Sequence, residues 1–307
     1  MRRKGTDRVF GQWILLATLL LVCVCAAAGS ANAAETKSGF FTTSDGAKLH
    51  YVEAGKGPAI VFVPGWTMPG WIWEPQIRHF SELFHVVALD PRSQGESNSG
   101  TEGNSTQRRA KDVKELVEQL HLAPAVLVGW SLAVPELLTY AEQFGGEAVS
   151  GYVLVDGFAW DKREPQLVEA MLGLYTQMQT NRRDFTESFV KSMYRKPQTQ
   201  EYLDRLVQAS LKMPVDSAVA AHVSALTRAD YTPAMRKLDR PVLVVCEARL
   251  KTRAADPVKA AVPSARIEVF EEARHALFVD DAERFDKTLD DFIAHLPDSG
   301  AKAPSGR

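Results

Sequence analysis

Cysteine is scarce in this chain. Of 307 residues three are cysteine, and two of these, Cys23 and Cys25, lie in an apolar stretch near the N-terminus. Beyond residue 33 only Cys246 remains, so a chain shortened there can form no intrachain disulfide and must be held by its core. Cys246 ends the apolar run Pro241–Cys246 and reads as a small buried hydrophobe. A basic stripe is also missing. There are 36 Lys and Arg against 38 Asp and Glu, a net charge of −2, with no interleaving of basic and aromatic residues, which argues against a nucleic-acid partner. The seven histidines are scattered, and none has a ligand spacing such as H-E-x-x-H, so neither a metal nor another cofactor is expected. Internal repeats are absent as well.

What is present begins with one long apolar run. Arg2, Arg3, Lys4 and Arg8 precede the stretch WILLATLLLVCVCAAAG, and SANAAE follows with small residues at Ala31 and Ala33. This is the order of an export signal, with cleavage predicted after Ala33; an uncleaved anchor is the competing reading. A lipid anchor is disfavoured, because Val22 and Val24 stand before Cys23 and Cys25 where a small residue is needed. Residues 1–33 carry four basic residues and one acid, Asp7, so the remainder has 32 basic and 37 acidic residues, a net −5. The expectation is a periplasmic or secreted protein with no stable membrane span after cleavage.

From about residue 38 strand-like and helix-like segments alternate. Lys48–Gly55 reads as a strand ending in a turn, and Ala59–Gly65 as a strand buried on both faces. A helix over Trp73–Leu83 is followed by a strand over Phe84–Asp90. Thr106–His121 is an amphipathic helix with Val113, Leu116, Val117 and Leu120 on one face. Ala125–Trp130, Ala133–Phe144 and Val149–Gly157 continue as strand, helix and strand. Such alternation predicts an α/β fold, a mostly parallel sheet with helices on both faces. The rhythm then breaks. Residues 161–233 show four helical periods and no strand, before strands resume at Pro241–Cys246 and Ala265–Phe270 and a helix closes the pattern over Asp281–Leu296. The predicted organisation is a core over 34–157, an inserted helical cap over 158–235, the rest of the core over 236–297, and a disordered tail over 298–307.

Four short stretches carry chemistry. Gly129-Trp130-Ser131-Leu132-Ala133 lies between a strand and a helix, where a serine on a strained turn needs small neighbours two positions away. It resembles the G-x-S-x-G nucleophile elbow of the α/β-hydrolase family, with Ala133 in the second glycine's place. FVPGWTMPGWIWEPQI, Phe62–Ile77, is similar to that family's oxyanion loop, with Pro64 where His is usual. The resemblance implies that the backbone N–H groups of Trp66 and Leu132 form the oxyanion hole. VVALDPRSQGESN, Val86–Asn98, resembles the family's structural D-x-R-G-x-G-x-S turn, with Ser93 for Gly. EEARHALFVDDAERF, Glu271–Phe285, is similar to the segment bearing the family's histidine, with Arg274 for Gly, and makes His275 the general base.

The acid of the triad is where the pattern departs. Set against the family's usual stretch, PVLVVCEARL puts Leu250 at the acid position. Three carboxylates remain as candidates: Asp156 at the end of the strand before the cap, as in haloalkane dehalogenases; Glu247 at the sheet edge; and Asp256 in the following loop. Asp156 ranks first. The resemblance covers roughly residues 38–297 and implies a serine hydrolase acting through an acyl-enzyme, most like the esterase branch that includes pimeloyl-carrier methyl-ester esterases. Trp71 and Trp130, with Trp66 and Trp73, suggest an apolar substrate pocket, suited to a small or medium carboxylic ester or lactone. The alternatives are a weakly active or non-catalytic binding protein on the same fold, and a haloperoxidase-like or carbon–carbon bond hydrolase using the same triad. A dehalogenase is disfavoured, since its nucleophile is aspartate.

Overall fold

The computed structural model describes residues 35–297 except 101, 161, 163 and 164. The segment read as an export signal and the tail read as disordered lie outside the described residues. Eight strands form one sheet: β1 (Lys37–Thr42), β2 (Lys48–Ala54), β3 (Ala59–Val63), β4 (His85–Leu89), β5 (Ala125–Trp130), β6 (Val149–Val155), β7 (Val242–Glu247) and β8 (Arg266–Phe270). Their order is β1-β2-β4-β3-β5-β6-β7-β8. β1, β2 and β4 pair antiparallel, and all remaining pairs are parallel. Every residue of β3, β5 and β7 is buried, as continuous apolar runs require when both faces are covered.

Helices cover those faces and make up the insertion. They are α1 (Glu74–Phe80), α2 (Thr106–Gln119), α3 (Ala133–Phe144), α4 (Pro165–Thr180), α5 (Arg182–Ser192), α6 (Gln200–Lys212), α7 (Val215–Thr227), α8 (Thr232–Met235), α9 (Lys251–Ala261), α10 (Leu277–Asp280) and α11 (Ala282–Ala294). Ser105 caps α2, its hydroxyl accepting from the Arg108 N–H at 3.2 Å. Val113, Leu116 and Val117 of α2 are buried as the periodicity predicts, while Leu120 lies beyond the helix end and is half-buried. The α4–α7 helices correspond to the four helical periods between the two sheet segments. Besides the short helices α8 and α10, two longer elements escaped the sequence reading. β1 pairs along β2 at the sheet edge, and α9 fills what reads as a short loop after β7.

The departures from the family pattern are accommodated locally. Ser93 takes φ 65°, a conformation usual for glycine, and its hydroxyl donates to Gly100 O at 2.9 Å. Asp90 and Arg92 do hold that turn. Asp90 accepts the N–H groups of Gly70 and Glu96 at 2.5 and 2.8 Å, and Arg92 grips Asp112 through two bonds of 2.7 Å. Arg274 has no left-handed backbone to support, and its side chain is exposed, so a glycine is not needed there.

Candidate active site

The parallel strands β5 and β6 bring Ser131 and Asp156 to the same sheet edge. Trp130 pairs with Val155, so each residue of interest is the first after its strand. Ser131 leaves β5 at φ 58°, with its N–H donating to Val155 O at 2.8 Å. Such a φ strains any residue with a Cβ, and here it turns the hydroxyl out of the sheet at the mouth of α3. Close packing around the turn explains its glycines. A Cβ on Gly129 would lie 2.7 Å from the Leu137 side chain, and one on Gly157 would lie 2.5 Å from Ser131 O.

His275 arrives from the loop between β8 and α10. The Ser131 hydroxyl lies 2.9 Å from His275 Nε2, and His275 Nδ1 lies 2.7 Å from Asp156 Oδ2. The second carboxylate oxygen of Asp156 accepts the Glu247 N–H at 2.7 Å, and the side chain is fully buried. The chain Asp156–His275–Ser131 is therefore continuous, and the carboxylate faces Nδ1 so that Nε2 is left to accept from serine.

Glu247 and Asp256, the other two carboxylates considered, are placed elsewhere. Glu247 offers its backbone N–H to Asp156, while its side chain pairs with Arg249 at 2.8 Å. Asp256 lies inside helix α9 and pairs with Lys251 at 2.6 Å. Leu250, at the family's usual acid position, ends a 3-10 turn.

Trp66 and Leu132 flank the serine. Neither backbone N–H has a hydrogen-bond partner among the described residues, so both are free to receive an oxyanion. Gly65 lets the loop approach, since a Cβ there would fall 2.8 Å from Ser131 Cβ. The loop is clamped by Gln94, whose amide donates to Gly65 O at 3.0 Å and Met68 O at 2.7 Å. Arg109 in turn donates to Gln94 Oε1 at 3.0 Å and pairs with buried Glu136 at 2.5 Å. Gln94 and Arg109 were missed in the sequence, where no spacing distinguishes them from ordinary polar residues. Asp280 was missed too. It accepts the N–H groups of Arg274, Arg195 and Lys196 at 2.9, 2.7 and 3.0 Å, tying the histidine loop to the segment after α5.

The two tryptophans expected to line a pocket are placed differently. Trp130 is fully buried behind the histidine: its ring centroid lies 5.0 Å from that of His275, and its indole N–H donates to His275 O at 2.8 Å. It braces the histidine rather than forming a pocket wall. The Trp71 ring sits 3.8 Å beneath the Arg205 guanidinium and edge-on to Tyr202, in a groove that neither Ser131 nor His275 lines. The aromatic wall over the oxyanion loop comes from Trp66 itself. Its indole N–H donates to Ala218 O of α7 at 2.7 Å, and its ring stacks on His222 at 4.6 Å with the Phe185 and Phe189 edges beside it. Burial pulls His222 down to about 4, and its Nδ1 lies 2.9 Å from the Tyr175 hydroxyl. Burial likewise pushes the Cys246 thiol up to about 12, as befits an inert packed side chain.

A profile described as "Alpha/beta hydrolase family" matches residues 60–288, spanning the elbow, the cap and the histidine loop. The chain belongs to the α/β-hydrolase family. Among curated α/β hydrolases, a non-heme chloroperoxidase of Kitasatospora aureofaciens is 26% identical over 272 residues, covering 82% of this chain and 98% of the relative. A pimeloyl-[acyl-carrier protein] methyl ester esterase of Aliivibrio salmonicida is 25% identical over 260 residues, covering 80% and 95%. Among solved structures, an esterase from Exiguobacterium antarcticum superposes with a TM-score of 0.75 at 20% identity, covering 82% of this chain and 98% of that one. The fold and the hydrolase family are thus shared with esterases and with proteins named as peroxidases. No group of three or more His, Cys, Asp or Glu among the described residues is placed to hold a metal ion, and no described helix is long and apolar enough to cross a membrane.

Proposed function

We propose that the protein is an exported serine hydrolase that cleaves a small or medium carboxylic ester or lactone. The observation that carries this reading is the continuous chain from Asp156 through His275 to Ser131, bonded at 2.7 and 2.9 Å. Ser131 Oγ attacks the substrate carbonyl while His275 Nε2 takes its proton. The developing oxyanion accepts from the Trp66 and Leu132 N–H groups. The imidazolium, held by Asp156, then protonates the leaving alcohol. Water, deprotonated by His275, releases the acid and restores Ser131. The aromatic surface of Trp66, Phe185 and Phe189 favours an apolar acyl or alcohol group over a charged one. Export rests on the charge and hydropathy pattern of residues 1–33.

A second reading shares the same first half-reaction. The relatives named as peroxidases and one named a bifunctional esterase/perhydrolase support hydrogen peroxide replacing water in deacylation, with release of a peracid. Both readings are tested with p-nitrophenyl acetate and butyrate on the full-length chain, wild type beside Ser131→Ala, with and without peroxide. Loss of about a thousandfold or more in turnover in the variant is expected, together with loss of fluorophosphonate from the peptide carrying Ser131. Turnover that survives the substitution would overturn the serine mechanism.

A further inference from the structure

A second serine, outside the site described above, ends a chain with the same atoms in the same order. Ser38 Oγ lies 2.7 Å from His50 Nε2, and His50 Nδ1 lies 2.7 Å from Asp90 Oδ2. The corresponding atoms at the elbow are Ser131 Oγ, His275 Nε2, His275 Nδ1 and Asp156 Oδ2. Asp90, like Asp156, is buried and fixed by backbone N–H groups, here those of Gly70 and Glu96. The carboxylate facing Nδ1 leaves Nε2 to accept from the Ser38 hydroxyl. His50 is buried and Ser38 is exposed, so the base is shielded while the hydroxyl is reachable from solvent.

The surroundings indicate what could react. Ser38 and Phe40 are two residues apart on β1 and share one face of the strand, and the Phe40 ring packs 5.0 Å from the His50 ring. Phe40 is 47% exposed and the Lys48 ammonium lies 4.4 Å from its ring centroid, so an aromatic ring and a cation stand beside the hydroxyl. Among the described residues β1 is the end strand of the sheet, with no strand paired along its outer edge, where alternate N–H groups can meet a carbonyl oxygen.

We propose that Ser38 is a second acyl-accepting nucleophile, activated by His50 and Asp90 and selective for aryl esters. Ser38 Oγ forms the new bond to the carbonyl carbon, and its proton passes to His50 Nε2. The aryl C–O bond breaks, and the departing phenolate takes the proton from His50 and leaves as a phenol. The product is an O-acyl Ser38. Ser38 lies in an extended strand rather than at a strand-to-helix turn, so it lacks the pair of N–H groups that flank Ser131. Acylation is accordingly stoichiometric and is not followed by rapid turnover.

The test is acylation of the full-length Ser131→Ala protein by p-nitrophenyl acetate, read by intact mass and peptide mapping. It does not depend on whether Ser131 is the hydrolytic nucleophile, because that residue is absent. The expected result is one acetyl group per chain on Ser38, lost when Ser38→Ala is added. Adding His50→Gln instead should slow acetylation about a hundredfold, the lower end of what a positioned base contributes. Glutamine keeps a donor toward Asp90, and a thermal melt of each variant reports whether the sheet edge is intact. Acetylation of Ser38 no faster than that of other exposed serines would overturn the proposal. So would an unchanged rate in a folded His50→Gln variant.

Discussion

Replacing Asp156 by asparagine separates the acid's chemistry from its structural role. The carboxylate has two partners, His275 Nδ1 and the Glu247 N–H, each at 2.7 Å, and no exposure to water. An asparagine in the same rotamer keeps its oxygen on the Glu247 N–H and turns its NH2 toward Nδ1. Two donors then face each other unless the imidazole moves its proton to Nε2. In that tautomer His275 donates to Ser131 and cannot accept the serine proton, a loss of about ten-thousandfold in kcat, or roughly 5.5 kcal/mol. A flipped amide restores the tautomer but sets NH2 against the buried Glu247 N–H, at a cost of about 1–3 kcal/mol. It also leaves the imidazolium without an anion. The expected fall in kcat therefore lies between about a hundredfold and ten-thousandfold, with little change in KM. Glu247→Gln is the matched control. Among the described residues its side chain pairs only with Arg249, whose own side chain is 66% exposed, and its N–H stays in place, so a change within about threefold is expected. Steady-state hydrolysis of p-nitrophenyl butyrate, with thermal melts of both variants, makes the comparison. A folded Asp156→Asn enzyme within tenfold of wild type would refute the reasoning, as would an equal fall in Glu247→Gln.

Two further outcomes follow from contacts around the site and the cap. Gly65→Ala puts a methyl 2.8 Å from Ser131 Cβ, so the oxyanion loop or the elbow must shift. The expected result is a fall in kcat of about ten- to a hundredfold, with stability reduced by about 1–3 kcal/mol; unchanged kcat would show that the loop is not held against the serine. The second outcome concerns acid stability. Burial raises the Asp286 carboxyl from 3.8 to about 6, opposed in part by the Gln76 amide, and burial lowers His222 from 6.5 to about 4. Between pH 4 and 6 the folded state holds a proton on Asp286 that the unfolded state lacks, so this group adds stability as pH falls. Over pH 4 to 6.5 the unfolded state holds a proton on His222 that the folded state lacks, so this group removes stability as pH falls. The two oppose each other in one window. Urea midpoints at pH 7 and 4.5 should show Asp286→Asn losing more than wild type on acidification and His222→Phe losing less, by on the order of 1–3 kcal/mol each. Identical acid shifts in all three proteins would sink this account.

The sheet, its helical layers and the inserted helices were legible because they rest on hydrophobic period, which is local. Residues 165–227 alternate apolar and polar positions at helical spacing, and helices form there. β1 was not legible. It carries Lys37, Ser38 and Gly39 with only Phe41 buried, so little in its composition marks a strand apart from its pairing with β2. Helix α9 was hidden by Pro257 within it. At the site, Ser131 and His275 were legible because each sits in a motif with its own turn chemistry. The tryptophans were not, because a large aromatic residue near an active segment can face either the pocket or the wall behind it. Nothing in the sequence separates Trp66, which meets the cap, from Trp130, which meets the back of the histidine loop.

The placement of Asp156, the candidate acid, follows from topology. β6 and β7 are adjacent and parallel, and Val155 pairs with Val245, so Asp156 and Glu247 leave neighbouring strands at the same edge. Either strand could in principle supply a carboxylate to one histidine. Two features favour β6. Asp156 takes φ 45°, a left-handed conformation that turns its chain out of strand geometry, and its N–H is still held by Val245 O at 2.8 Å. Two residues further along β7, Glu247 supplies its backbone N–H to the Asp156 carboxylate. β7 thus supports the strand that carries Asp156. The requirement on position 247 is accordingly for a backbone N–H and not for a carboxylate. Any non-proline residue there should preserve activity, whereas proline, which removes that donor, should reduce kcat even with Asp156 and His275 unchanged. A Glu247→Ala enzyme as impaired as Glu247→Pro would show that the side chain, not the N–H, is what position 247 contributes.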